Sequence, residues 1–223
     1  MWGGVNTLFT IGYDDIKVSH PSKQKLISLI TSNKCFTRGH RERLEFALKL
    51  KEYYGEKLDL FGSGFNSFDD KWDVLAPYKY HICIENSSYP HYWSEKLADV
   101  YLAECFPLYY GAPNLNEYFN PQSFAEIDVH DIDKSIRIID DAINNNLYES
   151  RKEKIREAKR LVLDEYNLFA MLARVMDTMN PDAPKRLITI RHDKEFFDLQ
   201  KVNVLLLDRI RNRMLTMFRR PPK

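Results

Sequence analysis

Short apolar runs alternate with helical periodicities from residue 25 to residue 146, and few folds accommodate that alternation. The segments "KLISLIT" (25–31), "LDLFG" (58–62), "YHICIEN" (80–86), "FPLYYG" (106–111) and "SFAEIDV" (123–129) read as buried strands. Between them, "GHRERLEFALKLKEYYG" (39–55) reads as a helix closed by Gly55. Its Leu44, Ala47 and Leu48, and less regularly Phe46 and Leu50, repeat near the helical period. "DKWDVLAPY" (70–78) suggests a short helix stopped by Pro77, and further helices are expected from about Ser94 to Glu104 and over "DIDKSIRIIDDAINNN" (131–146). Strands and helices in alternation with short connections specify an α/β fold with a doubly wound, mostly parallel sheet.

The character changes after residue 147. "ESRKEKIREAKRLVLDEYNLFAMLARVMDT" (149–178) is a long amphipathic helical stretch. A break at "NPDAP" (180–184) precedes a possible strand "RLITI" and a helical run, "FFDLQKVNVLLLDRIRNRMLTMF" (196–218). The basic end reads as a solvated helix terminus, with weak attachment to anionic lipid as the alternative.

Charge and composition exclude several classes. Lys and Arg number 33 against 32 Asp and Glu, a balance that argues against a general nucleic-acid binder and leaves room for a local cationic pocket. Cys35, Cys83 and Cys105 show no repeated spacing and read as small core residues of a reducing compartment. CxxC and HExxH are absent, and His40, His81 and His91 form no ligand pattern, so no metal is expected. No apolar run approaches the roughly 18–20 residues that span a bilayer. The first residues lack a basic and then apolar leader pattern. A cytoplasmic protein is expected, with at most weak peripheral contact at the inner membrane.

The segment "IENSSYPHYWSEKLAD" (84–99) is the least like ordinary packing. In an open parallel sheet, ligands sit beyond the carboxyl ends of the strands, where the strand order switches, and Asn86 lies just past such an end. Ser94 is a plausible N-cap, with Glu95 and Lys96 in the first helical turn. A helix N-terminus suits a phosphate, and a lysine placed there is disfavoured by the helix dipole unless an anion lies nearby. A carboxylate can accept from two vicinal ribose hydroxyls. Together Glu95 and Lys96 suit a nucleotide. Arg38, Arg41 and Arg43 cluster at a second strand end in "TSNKCFTRGHRERLEF" (31–46), either as phosphate ligands or as a solvated helix face. "GSGFNS" (62–67) lacks phosphate-loop spacing and reads as a turn, and Tyr89, Tyr92 and Trp93 are candidates to line a sugar pocket.

These motifs and their spacing resemble the donor-binding region of the family 10 glycosyltransferases, the α1,3/α1,4-fucosyltransferases. The elements are Tyr78-Lys79-Tyr80, Glu85-Asn86-Ser87, Tyr92, Ser94-Glu95-Lys96, Pro107 to Gly111 and Phe119-Asn120-Pro121, preceded by a Ser-Asn and arginine-helix segment. The resemblance spans about residues 25–146. It implies a Rossmann-like nucleotide-sugar donor-binding domain over 25–147, one half of a GT-B architecture, with an N-terminal segment 1–24 and a C-terminal helical extension over 148–223. It further implies GDP-fucose as donor substrate, no essential cofactor, and transfer with inversion to a surface glycan acceptor such as an O-antigen.

By the same resemblance, Arg41 and Lys96 would meet the diphosphate and Glu95 the ribose. Asn86 and Tyr92 would contact the phosphate and sugar, and Ser32 would approach the nucleotide. Glu85 would orient the fucose or support a neighbour, and is a weak candidate for catalysis; the catalytic base is otherwise unassigned. The family's acceptor domain precedes this one, and "FTIGYDDI" cannot build it. The expectation is therefore a chain incomplete alone, with a separate acceptor-domain chain as one way of completing it. The alternative is a non-catalytic nucleotide-sugar-binding or assembly module.

Overall fold

A computed structural model describes residues 11–33, 38–184 and 187–189. The chain falls into two compact units, Met1–Thr178 and Met179–Lys223. Only 179–184 and 187–189 of the second are described; they contain a turn over 181–183 and no helix or strand. The possible strand "RLITI" is not formed over its described residues 187–189, while Arg186 and Ile190, the helical run expected over 196–218, Cys35 and the basic end lie outside the described residues.

In the first unit, strands β1 (Lys25–Ile30), β2 (Leu58–Phe61), β3 (Tyr78–Ile84), β4 (Phe106–Tyr110) and β5 (Ala125–Glu126) form one sheet in the order β2-β1-β3-β4-β5. Every pairing is parallel. Its helices are α1 (Tyr13–Val18), α2 (Arg38–Tyr54), α3 (Glu95–Leu102), α4 (Ile132–Asn144), α5 (Leu147–Ser150), α6 (Lys152–Arg160) and α7 (Leu168–Asp177).

Register explains the two faces. Ile27 lies beside Leu58 and Tyr80, and Leu29 beside Leu60 and Ile82. Side chains alternate along a strand, so these residues share one face. Burial of Ile27, Leu29, Leu58, Leu60 and Leu108 there supplies the apolar driving force. The Tyr80 hydroxyl donates to the α4 carbonyl of Ala142 at 2.9 Å, which fixes α4 to that face. The Tyr54 hydroxyl donates to Asp140 at 2.9 Å and ties α2 to α4. The other face carries Ser28, His81, Cys83, Glu85 and Tyr109, mostly polar and all buried. Such groups are tolerated in a core only when paired. Ser28 Oγ is 2.8 Å from His81 Nδ1, and above this face Lys71 meets Asp99 of α3 at 2.7 Å. At the opposite end of the strands, Glu104 accepts from Lys159 of α6 at 3.0 Å and lies 2.8 Å from His20. That cluster fastens the segment before β1 and the helices after α4 to the sheet.

The parallel α/β sheet is the expected one, with four local differences. Residues 71–77 form successive turns instead of a helix. Asp70 holds the Trp72 amide at 2.8 Å, and Pro77 cannot continue a ladder because it has no N–H. Strand β5 shrinks to two residues, because an edge strand pairs on one side only. The helical stretch 149–178 breaks at Arg151, at a π-turn over Leu161–Glu165, and at Asn167, which caps α7. Finally, the buried stripe of α2 runs through Arg43, Phe46, Ala47, Leu50 and Tyr54, while Leu48 is exposed.

His81 makes this core sensitive to acid. Burial first, and Lys71 second, push its pKa down to about 3. The unfolded side chain takes up a proton near 6.5, so the contribution is complete above about pH 6.5 and lost as pH falls toward about 3. The slope in that window is about 1.4 kcal/mol per pH unit. Urea unfolding at pH 6.5 and 5 should show the parent losing about 2 kcal/mol more than a His81→Asn variant. Parallel losses in the two proteins would show that His81 is protonated in the folded state.

Candidate active site

The strand order changes direction between β1 and β3, since β2 lies to one side of β1 and β4 and β5 continue on the other side of β3. Connections there leave in opposite directions and open a crevice at the carboxyl ends. A cavity of about 240 Å³ occupies this place, walled by the first turns of α2, the end of β3 and the loop 86–89. A larger hollow of about 470 Å³ lies beside Leu26 and the last turn of α2, where Tyr53 and Tyr54 hold Asp140, at the amino end of β1.

Arg43 supplies the cavity's buried charge. Its side chain leaves the apolar stripe of α2 and is only 9% exposed. Nη1 donates to Asn86 Oδ1 at 2.6 Å and Nη2 to Ser32 Oγ at 3.4 Å, while the buried Nε has no hydrogen-bond partner. Burial lowers its pKa, and the charge of Glu85 offsets part of that shift. An arginine nevertheless stays protonated. Thus Ser32 after β1 and Asn86 after β3 are drawn together by one guanidinium. Gly39 makes the approach of α2 possible: a Cβ there would lie 2.5 Å from the Asn86 carbonyl oxygen. The cavity consequently faces both a helix N-terminus and a buried cation, the combination that suits an anion.

A second helix start adjoins it. Ser94 caps α3 through Oγ, which accepts from the Lys96 amide at 3.3 Å. Glu85, which lines the cavity, accepts from the Ser94 amide at 2.9 Å and from the Ser94 hydroxyl at 2.7 Å. The Lys96 ammonium lies 3.3 Å from Glu85 and 3.2 Å from Glu95. Burial acts to lower the Lys96 pKa, but Glu85 and Glu95 outweigh it and the net shift is upward. For Glu95 burial acts upward, and Lys96 outweighs it to leave the carboxyl below its ordinary value. Gly111 permits the close packing: a Cβ there would lie 2.7 Å from Glu85 Cγ.

Of the residues singled out in the sequence, Glu85 and Asn86 line the cavity, and Ser32 holds its arginine. Glu95 and Lys96 stand beyond Glu85 at the start of α3. Arg41 is on the exposed side of α2, and Tyr92 sits on the loop before α3, where its carbonyl accepts from Tyr109 at 3.4 Å. Arg38, Arg43 and Tyr89 also line it, Arg43 having been named in the sequence only within the arginine cluster, with Arg41 preferred for the diphosphate; Gly39, Glu42 and Tyr110 stand in the walls without having been singled out. The signal for Arg43 was its spacing from Phe46, Ala47 and Leu50, at i+3, i+4 and i+7. Trp93 belongs to an aromatic cluster with Tyr118, Phe119 and Tyr166. Among the described residues no group of three or more His, Cys, Asp or Glu gathers to hold a metal, and no helix is long and apolar enough to cross a membrane.

Comparisons with known proteins bear on the same segment. The sequence model described as "Glycosyltransferase family 10 (fucosyltransferase) C-term" matches residues 20–146. The α-(1,3)-fucosyltransferase FucT of Helicobacter pylori is 36% identical over 77 residues, which are 34% of this chain and 16% of that protein. A crystal structure of an α1,3-fucosyltransferase matches 60% of this chain and 39% of its own at 29% identity, with a TM-score of 0.49. A second, described as an α1,3-fucosyltransferase with GDP, matches 68% and 50% at 25% identity and the same TM-score, 0.49. The chain thus corresponds to half or less of the length of these relatives. The family match itself covers more than half of the chain, and the polypeptide belongs to glycosyltransferase family 10, the fucosyltransferases.

Proposed function

We propose that this chain is the donor-binding half of a GT-B fucosyltransferase, taking GDP-fucose in the crevice between β1 and β3. Residues 25–147 form the nucleotide-sugar unit in this reading, and 148–223 its helical extension. The observation that carries it is the buried Arg43 guanidinium at the N-terminus of α2, with one N–H left unpartnered beside an open cavity. Such a cation is a costly feature of an empty core and a favourable one beside a diphosphate. Lys96 extends the positive field toward the second phosphate, and Arg41 can approach from the exposed side of α2. Glu95 takes the ribose hydroxyls, and Asn86, Tyr92 and Ser32 order the phosphate and sugar.

The chemistry then follows from charge. An acceptor hydroxyl attacks the anomeric carbon of fucose while the bond to the GDP oxygen breaks, inverting the centre. Negative charge grows on the leaving diphosphate, and the cations meet it where it forms. No metal is needed for that task in this arrangement. The acceptor's proton must pass to a carboxylate. Glu85 is occupied by Ser94 and Lys96, and Glu42 by Arg38, so in this reading the base comes from outside the described residues. A surface glycan such as an O-antigen fits as acceptor. The second reading, a non-catalytic nucleotide-sugar-binding or assembly module, is favoured by the same occupied carboxylates.

Calorimetry with GDP provides the first test. Removing a charge-assisted contact to phosphate costs about 1.5–3 kcal/mol, roughly ten- to a hundredfold in affinity. Arg43→Lys and Lys96→Gln should each approach that loss, with folding verified by circular dichroism. GDP affinity equal to the parent's in both variants rejects the assigned site. Competition against a fluorescent GDP analogue then separates roles: Lys96→Gln should weaken GDP more than guanosine, and Glu95→Gln should weaken both.

Turnover gives a different outcome. The purified 223-residue polypeptide should bind donor yet transfer little fucose to added glycans. Robust acceptor-dependent GDP release would show that a carboxylate within it serves as base.

A further inference from the structure

We infer that the Tyr89 ring is a stacking platform for a pyranose at the mouth of the donor cavity. This rests on the donor-site reading above and adds the residue that would meet a sugar ring. Tyr89 lines the cavity, yet the residue is 63% exposed. Its neighbour Tyr92 is 37% exposed and meets it edge to face, with ring centroids 6.4 Å apart. An exposed aromatic pair gains little from water. A pyranose, whose axial C–H bonds present one apolar face and whose hydroxyls stay solvated at the rim, matches such a ring.

The turn that carries the pair is held rather than left to drift. Pro90 restricts the backbone between the two tyrosines, and the Tyr92 amide donates to the Tyr89 carbonyl at 3.2 Å. His91 adopts a positive φ of 65°. Its amide donates to Asn114 Oδ1 at 2.7 Å, and its Nδ1 lies 2.6 Å from the Tyr118 hydroxyl. Asn114 and Tyr118 belong to the segment after β4, so the platform is braced against the sheet. Ordering cost on binding is correspondingly small. Trp93 is engaged in the Tyr118–Phe119–Tyr166 cluster, which leaves Tyr89 as the more open ring.

The pyranose could be the donor's own sugar or one residue of the acceptor glycan, and two measurements separate them. Calorimetry compares GDP with GDP-fucose on the parent, Tyr89→Ala and Tyr89→Phe. Saturation-transfer NMR follows lactose on the same three proteins, with and without GDP. Tyr89→Phe should match the parent throughout, because it keeps the ring. In Tyr89→Ala, a donor-sugar contact reduces GDP-fucose affinity about two- to tenfold while GDP is unchanged. An acceptor contact instead abolishes transfer to one face of a lactose ring. Either result supports the platform. Unchanged GDP-fucose affinity and an unchanged lactose signal in Tyr89→Ala overturn it. A parent that binds no GDP overturns the donor-site reading, and the lactose measurement without GDP then decides the platform alone.

Discussion

Arg43 brings a full positive charge into the crevice between the ends of β1 and β3, where Ser32 and Asn86 accept from it. Removing a guanidinium from water is unfavourable, and two neutral acceptors repay only part of the cost. The remaining compensation is electrostatic, from the Glu85 carboxylate nearby. Because that carboxylate is itself shared with Ser94 and Lys96, the starts of α2 and α3 are coupled through a chain of charges across the end of β3. Disturbing one member leaves another buried and unpaired, so the site is built as a unit.

The sheet beneath supplies the stiffness this requires. One face is aliphatic and aromatic; the other is a row of paired polar groups under α3. A polar row of this kind specifies register more sharply than apolar packing, since a one-residue slip would strand Ser28, His81 and Glu85 together. Glycines act at the points of closest approach: Gly39 admits α2 to the Asn86 backbone, and Gly111 admits the turn after β4 to Glu85. Membership of glycosyltransferase family 10 therefore has a physical counterpart here, in which a parallel sheet ends in two helix starts, a buried arginine and a half-buried lysine.

Strand and helix alternation was legible because each element carries its own period. The Glu85-Asn86 to Glu95-Lys96 spacing was legible because the strand end and the helix cap are local in sequence. Helix phase was not. Leu44, Ala47 and Leu48 make as good a stripe as Phe46, Ala47, Leu50 and Tyr54. Arg41 precedes the first stripe by three residues, whereas Arg43 stands at the head of the second. Packing against α4 and the sheet chose the second stripe, and with it the arginine that turns inward.

By itself, the sequence determined that this protein would have a parallel α/β sheet, a capped helix at Ser94 and a family-specific polar motif after β3. Those are set by side-chain periodicity and short-range hydrogen bonding, which act over a few residues. Tertiary structure alone decided the strand order and therefore the position of the crevice. It also decided that Glu85 would serve Ser94 and Lys96 and that Tyr89 would stand at the cavity mouth. The reason is physical: these outcomes depend on which distant groups share a desolvated space, and burial energies and charge pairings are settled only when the elements pack.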